Sequence, residues 1–183
     1  ITGEATNNYF GISLTSGDFN ADGTIDLAVG AQGYSTNTGR AYIFYNDGSI
    51  PTTAATADVT ITGESSSALG SALTSGDFNS DGRIDLAVGA YIYSSNTGRA
   101  YIFYNDGSIP TTTATADVTI TGETTSNYFG CSLASGDFNS DGRTDLAVGA
   151  QGYSTNTGRI YFYDGQDNFA WTLQEQYGST APR

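Results

Sequence analysis

The sequence has no histidine, lysine or methionine, and it has one cysteine and three prolines in 183 residues. Histidine is the most frequent general base in enzymes, and the lone Cys131 has no base beside it in the sequence. Neither a nucleophile elbow nor a phosphate-cradling glycine loop occurs. We therefore expect a protein that is not an enzyme, with a carboxylate pair between neighbouring segments as the one catalytic arrangement left open.

Positive charge is also scarce, since six arginines face 19 acidic residues and the net charge is −13 at pH 7. An acidic surface repels phosphate backbones and anionic lipid, which argues against nucleic acid as a partner. No apolar run approaches the length of a membrane span, so we expect no membrane insertion. The negative charge either keeps molecules of a soluble protein from associating, through mutual repulsion, or binds cations. Without an initiator methionine or a signal peptide, the chain is expected to be a processed or excised part of a longer protein.

What the sequence does have is one unit written three times, with 24 glycines and 22 tyrosines and phenylalanines among its residues. An acidic segment, DFN followed by A or S and then DG, begins at Asp18, Asp77 and Asp137. The words ITGE and NTGR recur with it, at Ile1, Ile61 and Ile120 and at Asn37, Asn96 and Asn156. A unit of about 60 residues is typical of repeat architectures.

Each unit predicts four short strands and no helix. YFGISLTSGDF reads as a first strand, and DLAVGA as a short strand buried on both faces. Its Ala28 and Gly30 lack bulk, so another sheet could pack close to them. RAYIFYND and DVTITGE supply the third and fourth strands, with turns at NTG and NDG. Four short strands per unit are typical of a propeller blade.

The unit resembles the FG-GAP repeat of the integrin α-chain β-propeller and its bacterial relatives. The residues that carry the resemblance are Phe10-Gly11 and Phe129-Gly130, then Gly30-Ala31, Gly89-Ala90 and Gly149-Ala150. It departs from the family at Leu69, which replaces the phenylalanine, and at Gln32, Tyr91 and Gln151, which replace the proline. The resemblance implies an all-β fold of β-propeller blades, each with four antiparallel strands. It also implies a place outside the cell, at the cell surface or in the periplasm.

The three units form a single repeat domain over residues 1–183, with one blade-like unit in each third of the chain. Residues 1–4 are interpreted as the last strand of a preceding blade, residues 5–64 as blade 1, residues 65–123 as blade 2 and residues 124–183 as blade 3. Blade 3 ends in a divergent strand, FAWTLQEQYG. Closed propellers generally have at least four blades. We therefore expect either a part of a larger propeller or self-association through open blade faces.

The acidic segment is the candidate metal site. Asp18, Asn20, Asp22 and Asp26 hold positions 1, 3, 5 and 9 of a loop, and a backbone carbonyl from Thr24 at position 7 completes the set. The same positions are held by Asp77, Asn79, Asp81, Arg83 and Asp85, and by Asp137, Asn139, Asp141, Arg143 and Asp145. Oxygen ligands suit Ca²⁺, and a glycine at position 6 allows the sharp turn.

The acidic segment has two alternative interpretations. An EF-hand needs a glutamate at position 12 and flanking helices, whereas these loops have valine there and strands beside them, as in the integrin-type loop. Asp and Asn could instead serve only as turn and cap residues. Because every ligand position recurs three times, we predict about three structural Ca²⁺ sites with dissociation constants on the order of 10⁻⁴ to 10⁻³ M.

Other recurring residues are expected to do structural work. Glu4, Glu64 and Glu123 recur in ITGE, which favours a hydrogen-bonding role over acid–base catalysis. Arg40, Arg99 and Arg159 are expected to pair with local acids. Cys131, which stands where the other repeats have Ile12 and Ser71, is interpreted as a partly buried small hydrophobe.

Three functions remain open on the sequence. The first is a calcium-binding module for protein–protein interaction in adhesion. The second is a lectin, in which Tyr34, Tyr93 and Tyr153 would stack on sugars, although packing within the propeller is favoured for them. The third is a self-assembling scaffold subunit. Residues that break the repeat are the better candidates for a specific partner, namely Tyr91, Ile92, Trp171 and Tyr177.

Overall fold

The computed structural model describes residues 1–165 and 173–174 as three antiparallel sheets of four strands each, here called blades 1, 2 and 3. Blade 1 contains β1 (Phe10–Gly17), β2 (Asp26–Ala31), β3 (Arg40–Phe44) and β4 (Val59–Thr62); blade 2 contains β5 (Leu73–Gly76), β6 (Asp85–Ala90), β7 (Arg99–Phe103) and β8 (Val118–Thr121); blade 3 contains β9 (Phe129–Gly136), β10 (Asp145–Ala150), β11 (Arg159–Tyr163) and β12 (Leu173–Gln174). Neighbours in sequence pair in each sheet, which confirms the predicted all-β fold of four-stranded blades. The three sheets do not close into a ring.

Helical structure within residues 1–165 and 173–174 is limited to single turns. Turns over Tyr34–Asn37, Tyr93–Asn96 and Tyr153–Asn156 join the second and third strands, and 3₁₀ turns occupy Ala54–Thr56 and Thr113–Thr115. Ser35 and Thr36 lie in the left-handed region, with φ of 47° and 56°, so this stretch is a tight reversal rather than a true helix. Within the described part of the chain, no helix is long and apolar enough to cross a membrane.

The blades stack closely because glycines let one backbone reach the next. A Cβ on Gly30 would lie 2.0 Å from the carbonyl oxygen of Gly70, and one on Gly89 would lie 2.1 Å from that of Gly130. No side chain tolerates such a distance, so only glycine fits these two positions. The expectation that another sheet packs against the second strand is confirmed.

Each internal blade contact encloses its own apolar core. In the first, Phe19, Ala41 and Ile43 of blade 1 are buried against Leu69 and Leu86 of blade 2. In the second, the counterparts in blade 2 are buried against blade 3, with Phe78, Ala100 and Ile102 meeting Phe129 and Leu146. We call the side of a blade that packs on the next blade its forward face, and the side that packs on the preceding blade its back face.

The first strands of successive blades also touch through hydroxyl groups. Thr15 and Ser75 share a hydrogen bond of 2.9 Å, and Thr74 and Ser135 share one of 2.8 Å. Backbone groups add parallel bridges between Gly39 and Leu69 and between Gly98 and Phe129. Polar contacts thus fix the register between blades, while the apolar cores supply most of the burial.

The two ends of the chain concern the predicted first and last strands of the repeat domain. Thr2 bridges Thr53 in the same way that Thr62 bridges Thr112 of the following blade. The assignment of residues 1–4 to a preceding blade fits that likeness and stays a prediction. In the divergent end of blade 3, Leu173–Gln174 pairs with β11, and the candidates Trp171 and Tyr177 lie outside the described residues.

Candidate metal centre

The acidic loop joins the first and second strands of each blade, and its first aspartate organises it. The two carboxylate oxygens of Asp18 accept the backbone N–H groups of Asp22, at 3.1 Å, and of Gly23, at 2.9 Å. Asp77 and Asp137 accept the equivalent pairs at 2.9–3.0 Å. Three separate stretches of sequence therefore fold into the same loop.

The third and fifth positions meet in this loop. Oδ1 of Asn20 accepts the N–H of Asp22 at 3.1 Å, and its amide donates to Asp22 Oδ2 at 2.9 Å. Asp22 Oδ1 accepts the N–H of Thr24 at 2.7 Å and also its hydroxyl. These Thr24 hydrogen bonds hold the pKa of Asp22 below its ordinary value, which keeps the exposed carboxylate charged.

The backbone of the loop is wound by left-handed residues. Ala21 and Gly23 have φ of 58° and 90°, and the space around Gly23 is open. Ser80 and Ser140 repeat the first of these conformations, and Gly82 and Gly142 the second. The sharp turn that the sequence predicted at position 6 is confirmed, and it brings positions 1, 3 and 5 to the same exposed end of the blade.

The ninth position turns away from the solvent. Asp85 is fully buried, and its two oxygens accept the N–H of Phe78 and the N–H of Asn105, each at 2.8 Å. Burial raises the pKa of Asp85 to about 7, against the lowering effect of these two hydrogen bonds. Asp26 and Asp145 make the equivalent pairs of bonds. Each of these carboxylates ties its loop to the end of the third strand, a role that the sequence did not indicate.

The donor chemistry of the loop fits a calcium ion. Within residues 1–165 and 173–174, no group of three His, Cys, Asp or Glu side chains forms a ready-made cage, since the carboxylates accept N–H groups of their own loop. All side-chain donors at positions 1, 5 and 9 are nonetheless carboxylate oxygens, which Ca²⁺ prefers. At position 7 the guanidinium of Arg83 donates to the carbonyl of Asn105 at 3.3 Å, so this side chain contacts the backbone after β7. The ligand assignment stays a prediction.

One further contact ties the loop of blade 1 to blade 2. The side-chain amide of Asn105 donates to the carbonyl oxygen of Phe19 at 2.9 Å, and both residues are buried. Sequence reasoning missed this link because Asn46 stands in the same word, YNDG, in blade 1. The sequence of a single repeat does not indicate whether the asparagine at this position contacts the preceding blade.

A glutamate that follows one blade forms hydrogen bonds with an arginine and a tyrosine of the next blade, and we call this polar cluster the clasp. Glu64, which follows the last strand of blade 1, accepts hydrogen bonds from Arg99 at 2.7 Å and from the Tyr101 hydroxyl at 2.6 Å. Glu4 and Arg40, and Glu123 and Arg159, repeat the ion pair at 3.2 and 3.4 Å. The predicted hydrogen-bonding role of these glutamates is confirmed, as is the pairing of the arginines with acids.

The same arginines cover the tyrosines that were candidates for stacking on sugars. The guanidinium carbons lie 3.6–3.7 Å from the ring centroids of Tyr34, Tyr93 and Tyr153. Cation–π packing within the blade therefore uses one face of each ring and leaves the other as the only face for a sugar. This geometry supports the structural role that the sequence favoured for the three tyrosines.

The remaining candidates lie near the contact between blades 2 and 3. Tyr91 and Ile92 are half-buried, and the ring of Tyr91 lies 6.1 Å from that of Tyr128. Cys131 is also half-buried, and its thiol lies 3.5 Å from the carbonyl oxygen of Gly149, which confirms it as a partly buried small residue.

Comparison with known proteins finds the same three segments. The FG-GAP repeat matches residues 10–44, 69–103 and 129–163. The chain is 36% identical over 156 residues to phosphatidylinositol-glycan-specific phospholipase D of Bos taurus, an alignment covering 76% of the chain and 18% of that protein. It is 30% identical over 189 residues to integrin alpha-5 of Xenopus laevis, with coverages of 94% and 17%. For integrin alpha-M of Mus musculus the identity is 37% over 164 residues, with coverages of 84% and 14%. The chain therefore spans less than a fifth of the length of these relatives.

Proposed function

Because this chain belongs to the FG-GAP repeat family and is similar to integrin alpha chains, we propose that it is a calcium-binding propeller module for adhesion. In this role it binds a protein partner outside the cell and carries out no catalysis of its own. One relative has the name of a phospholipase, but the similarity covers 18% of that protein, and the family match falls on the repeats. The observation that carries the proposal is the acidic loop, built three times with one geometry.

Charge supports calcium in these loops. The carboxylates at positions 1 and 5 lie in one exposed loop, and their mutual repulsion favours a bound cation. Ca²⁺ takes six to eight oxygen ligands, and each loop offers carboxylate, amide and carbonyl oxygens. Three such ions would change the net charge of the chain from −13 to −7. The modest affinity expected for such loops suits the calcium concentrations outside cells.

In this proposal the adhesive surface is the loop end of the blades. Positions 1 to 6 of the acidic loop are exposed or half-exposed in blades 1 and 2, apart from the buried phenylalanine at position 2. A calcium ion would fix the shape of this end and leave a surface rich in acidic groups. Such a surface favours a partner with a basic patch, because charge complementarity directs association.

Calcium titration tests the metal assignment. We expect about three ions per chain by calorimetry, a higher melting temperature in calcium and a lower one in chelator. Asp77→Asn should remove one site, whereas Asp106→Asn, at an exposed acid in the turn after β7, should remove none. A melting curve that is unchanged between calcium and chelator would contradict structural calcium sites.

Binding assays separate the protein partner from the sugar alternative. The adhesion proposal predicts calcium-dependent binding to proteins in a panel of extracellular and cell-surface proteins, and loss of that binding with Asp77→Asn. The lectin alternative predicts binding to a defined sugar on a glycan array that Tyr93→Ala abolishes. Binding to neither set in calcium would leave the interaction proposal without support.

A further inference from the structure

Aspartate stands directly before glycine six times in the sequence, and these pairs fall into two structural groups. In the first group a carboxylate accepts the N–H of the glycine, and its members are Asp22-Gly23, Asp81-Gly82, Asp141-Gly142 and Asp164-Gly165. The second group is Asp47-Gly48 and Asp106-Gly107, which lie in the exposed turn after the third strand of blades 1 and 2. The same pair of residues is therefore present in two different surroundings.

In the three acidic loops, hydrogen bonds hold both members of the pair. The N–H of Gly82 donates to Oδ2 of Asp77 at 2.9 Å, and Oδ1 of Asp81 accepts the N–H of Arg83 at 2.8 Å. Oδ2 of Asp81 accepts the side-chain amide of Asn79 at 3.1 Å. The loops of blades 1 and 3 repeat these bonds. The aspartate carboxylate and the glycine nitrogen are thus each bound to another group.

The two turn pairs lack such bonds to the residues that the structure describes. Within residues 1–165 and 173–174, the N–H groups of Gly48 and Gly107 have no acceptor. The carboxylate of Asp106 accepts no hydrogen bond there, and that of Asp47 accepts only the amide of Asn20, at 3.5 Å. Both pairs are exposed to solvent. Each of these aspartates is therefore free to turn towards the glycine that follows it.

An aspartate in that position can react with the next residue. The glycine nitrogen attacks Cγ of the aspartate, the amide proton and the carboxyl hydroxyl leave together as water, and a five-membered succinimide ring forms. Water then opens the ring at either carbonyl and gives aspartate again or isoaspartate, in which the main chain runs through Cβ. One water molecule leaves and one enters, so no oxidant is needed. Glycine permits the attack best because it has no Cβ to obstruct it.

We propose that Asp47 and Asp106 are sites of spontaneous isoaspartate formation, whereas the four held pairs are protected. The attack requires the glycine nitrogen to lose its proton. A carboxylate that accepts this N–H opposes the loss, because its negative charge disfavours a second negative charge beside it. Such a charged hydrogen bond slows the reaction by at least about tenfold. The proposal does not depend on calcium or on an adhesive partner.

Isoaspartate at Asp106 would change the main chain beside a contact between blades. Asp106 follows Asn105, whose N–H is held by Asp85 and whose amide donates to the carbonyl of Phe19 in blade 1. Isoaspartate adds one carbon to the main chain directly after Asn105. The modification therefore acts next to the link between the loops of blades 1 and 2.

Incubation of the whole chain in heavy-oxygen water, at neutral pH and with excess chelator, tests the proposal. Each succinimide that opens gains one heavy oxygen atom, and mass spectrometry with electron-transfer dissociation locates both this label and the isoaspartate. We expect both to accumulate at Asp47 and Asp106 at least about tenfold faster than at the four held aspartates. In urea all six pairs should react at similar rates, because the folded surroundings are then lost.

Two variants test the role of the hydrogen bonds. Asp77→Ala frees the N–H of Gly82, so Asp81 should become reactive, while Asp141 in the same chain stays protected. Asp106→Glu keeps the charge but requires a six-membered ring, so it should abolish the reaction at that turn. Circular dichroism establishes that each variant is folded.

Two results for the folded wild-type chain overturn the proposal. One is a single rate at all six pairs, and the other is unmodified Asp47 and Asp106 at a time when the sample in urea has reacted. Protection of Asp81 in folded Asp77→Ala overturns the role of the hydrogen bond. Isoaspartate that persists at the turn after β7 in Asp106→Glu overturns the assignment to Asp106.

Discussion

Replacing Asp85 by alanine should destabilise the fold even when no calcium is present. The carboxylate is fully buried and accepts two backbone N–H groups, from Phe78 and from Asn105, at 2.8 Å each. Alanine leaves both donors without that acceptor inside the protein. Each buried donor that loses its acceptor costs about 1–3 kcal/mol, so we expect a loss of about 2–6 kcal/mol in the free energy of unfolding. This is a large part of the ~5–15 kcal/mol that a domain usually has.

Urea denaturation in excess chelator, followed by circular dichroism, measures this loss. The matched control is Asp81→Ala, whose carboxylate lies in the exposed part of the same loop and accepts the N–H of Arg83 at 2.8 Å. It should cost less than about 1 kcal/mol in chelator, because solvent replaces an exposed hydrogen bond. Asp85→Asn keeps one acceptor and should fall between the two. Equal losses for Asp85→Ala and Asp81→Ala in chelator would contradict this prediction, since the two buried hydrogen bonds of Asp85 would then add no stability beyond that of an exposed carboxylate.

Three further perturbations test the contacts between and within blades. Gly89→Ala would place a Cβ 2.1 Å from a backbone carbonyl of blade 3 and should cost about 1–3 kcal/mol by thermal denaturation, whereas Gly136→Ala, with its nearest contact at 3.6 Å, should cost less. Glu64→Gln weakens the ion pair with Arg99 and should lower the free energy of unfolding by about 1 kcal/mol. An unchanged free energy of unfolding would show that the clasp does not stabilise the fold. Burial raises the pKa of Tyr42 from 10.0 to about 12. Because the unfolded chain ionises first, stability should fall as the pH rises from 10 to 12, and Tyr42→Phe should make that fall less steep in alkaline melting curves.

The sequence predicts the strands well because the same strand pattern recurs in all three repeats. Alternating and buried apolar runs, such as DLAVGA, are short-range patterns, and the acidic loop with its glycine at position 6 is a local motif. The structure confirms the strands and the sharp turn, which depend on residues close together in the chain.

Contacts between distant residues could not be predicted in the same way. Asp85 accepts the N–H of a residue 20 positions away, and Asn105 reaches a carbonyl 86 positions away. Both residue types are common in turns, so their local sequence indicates nothing more than a loop. The left-handed turn at Ser35 could not be predicted for another reason, because serine seldom adopts that backbone conformation.

The amide of Asn105 has a consequence for how the loops respond to one another. Its side chain holds the loop of blade 1 at Phe19, while its own N–H is held by Asp85 of the loop in blade 2. The corresponding position in blade 3 is Gly165, which has no side chain to reach back to blade 2. A displacement at the first loop can therefore reach the second through one residue, a path that Gly165 cannot repeat between the second loop and the third.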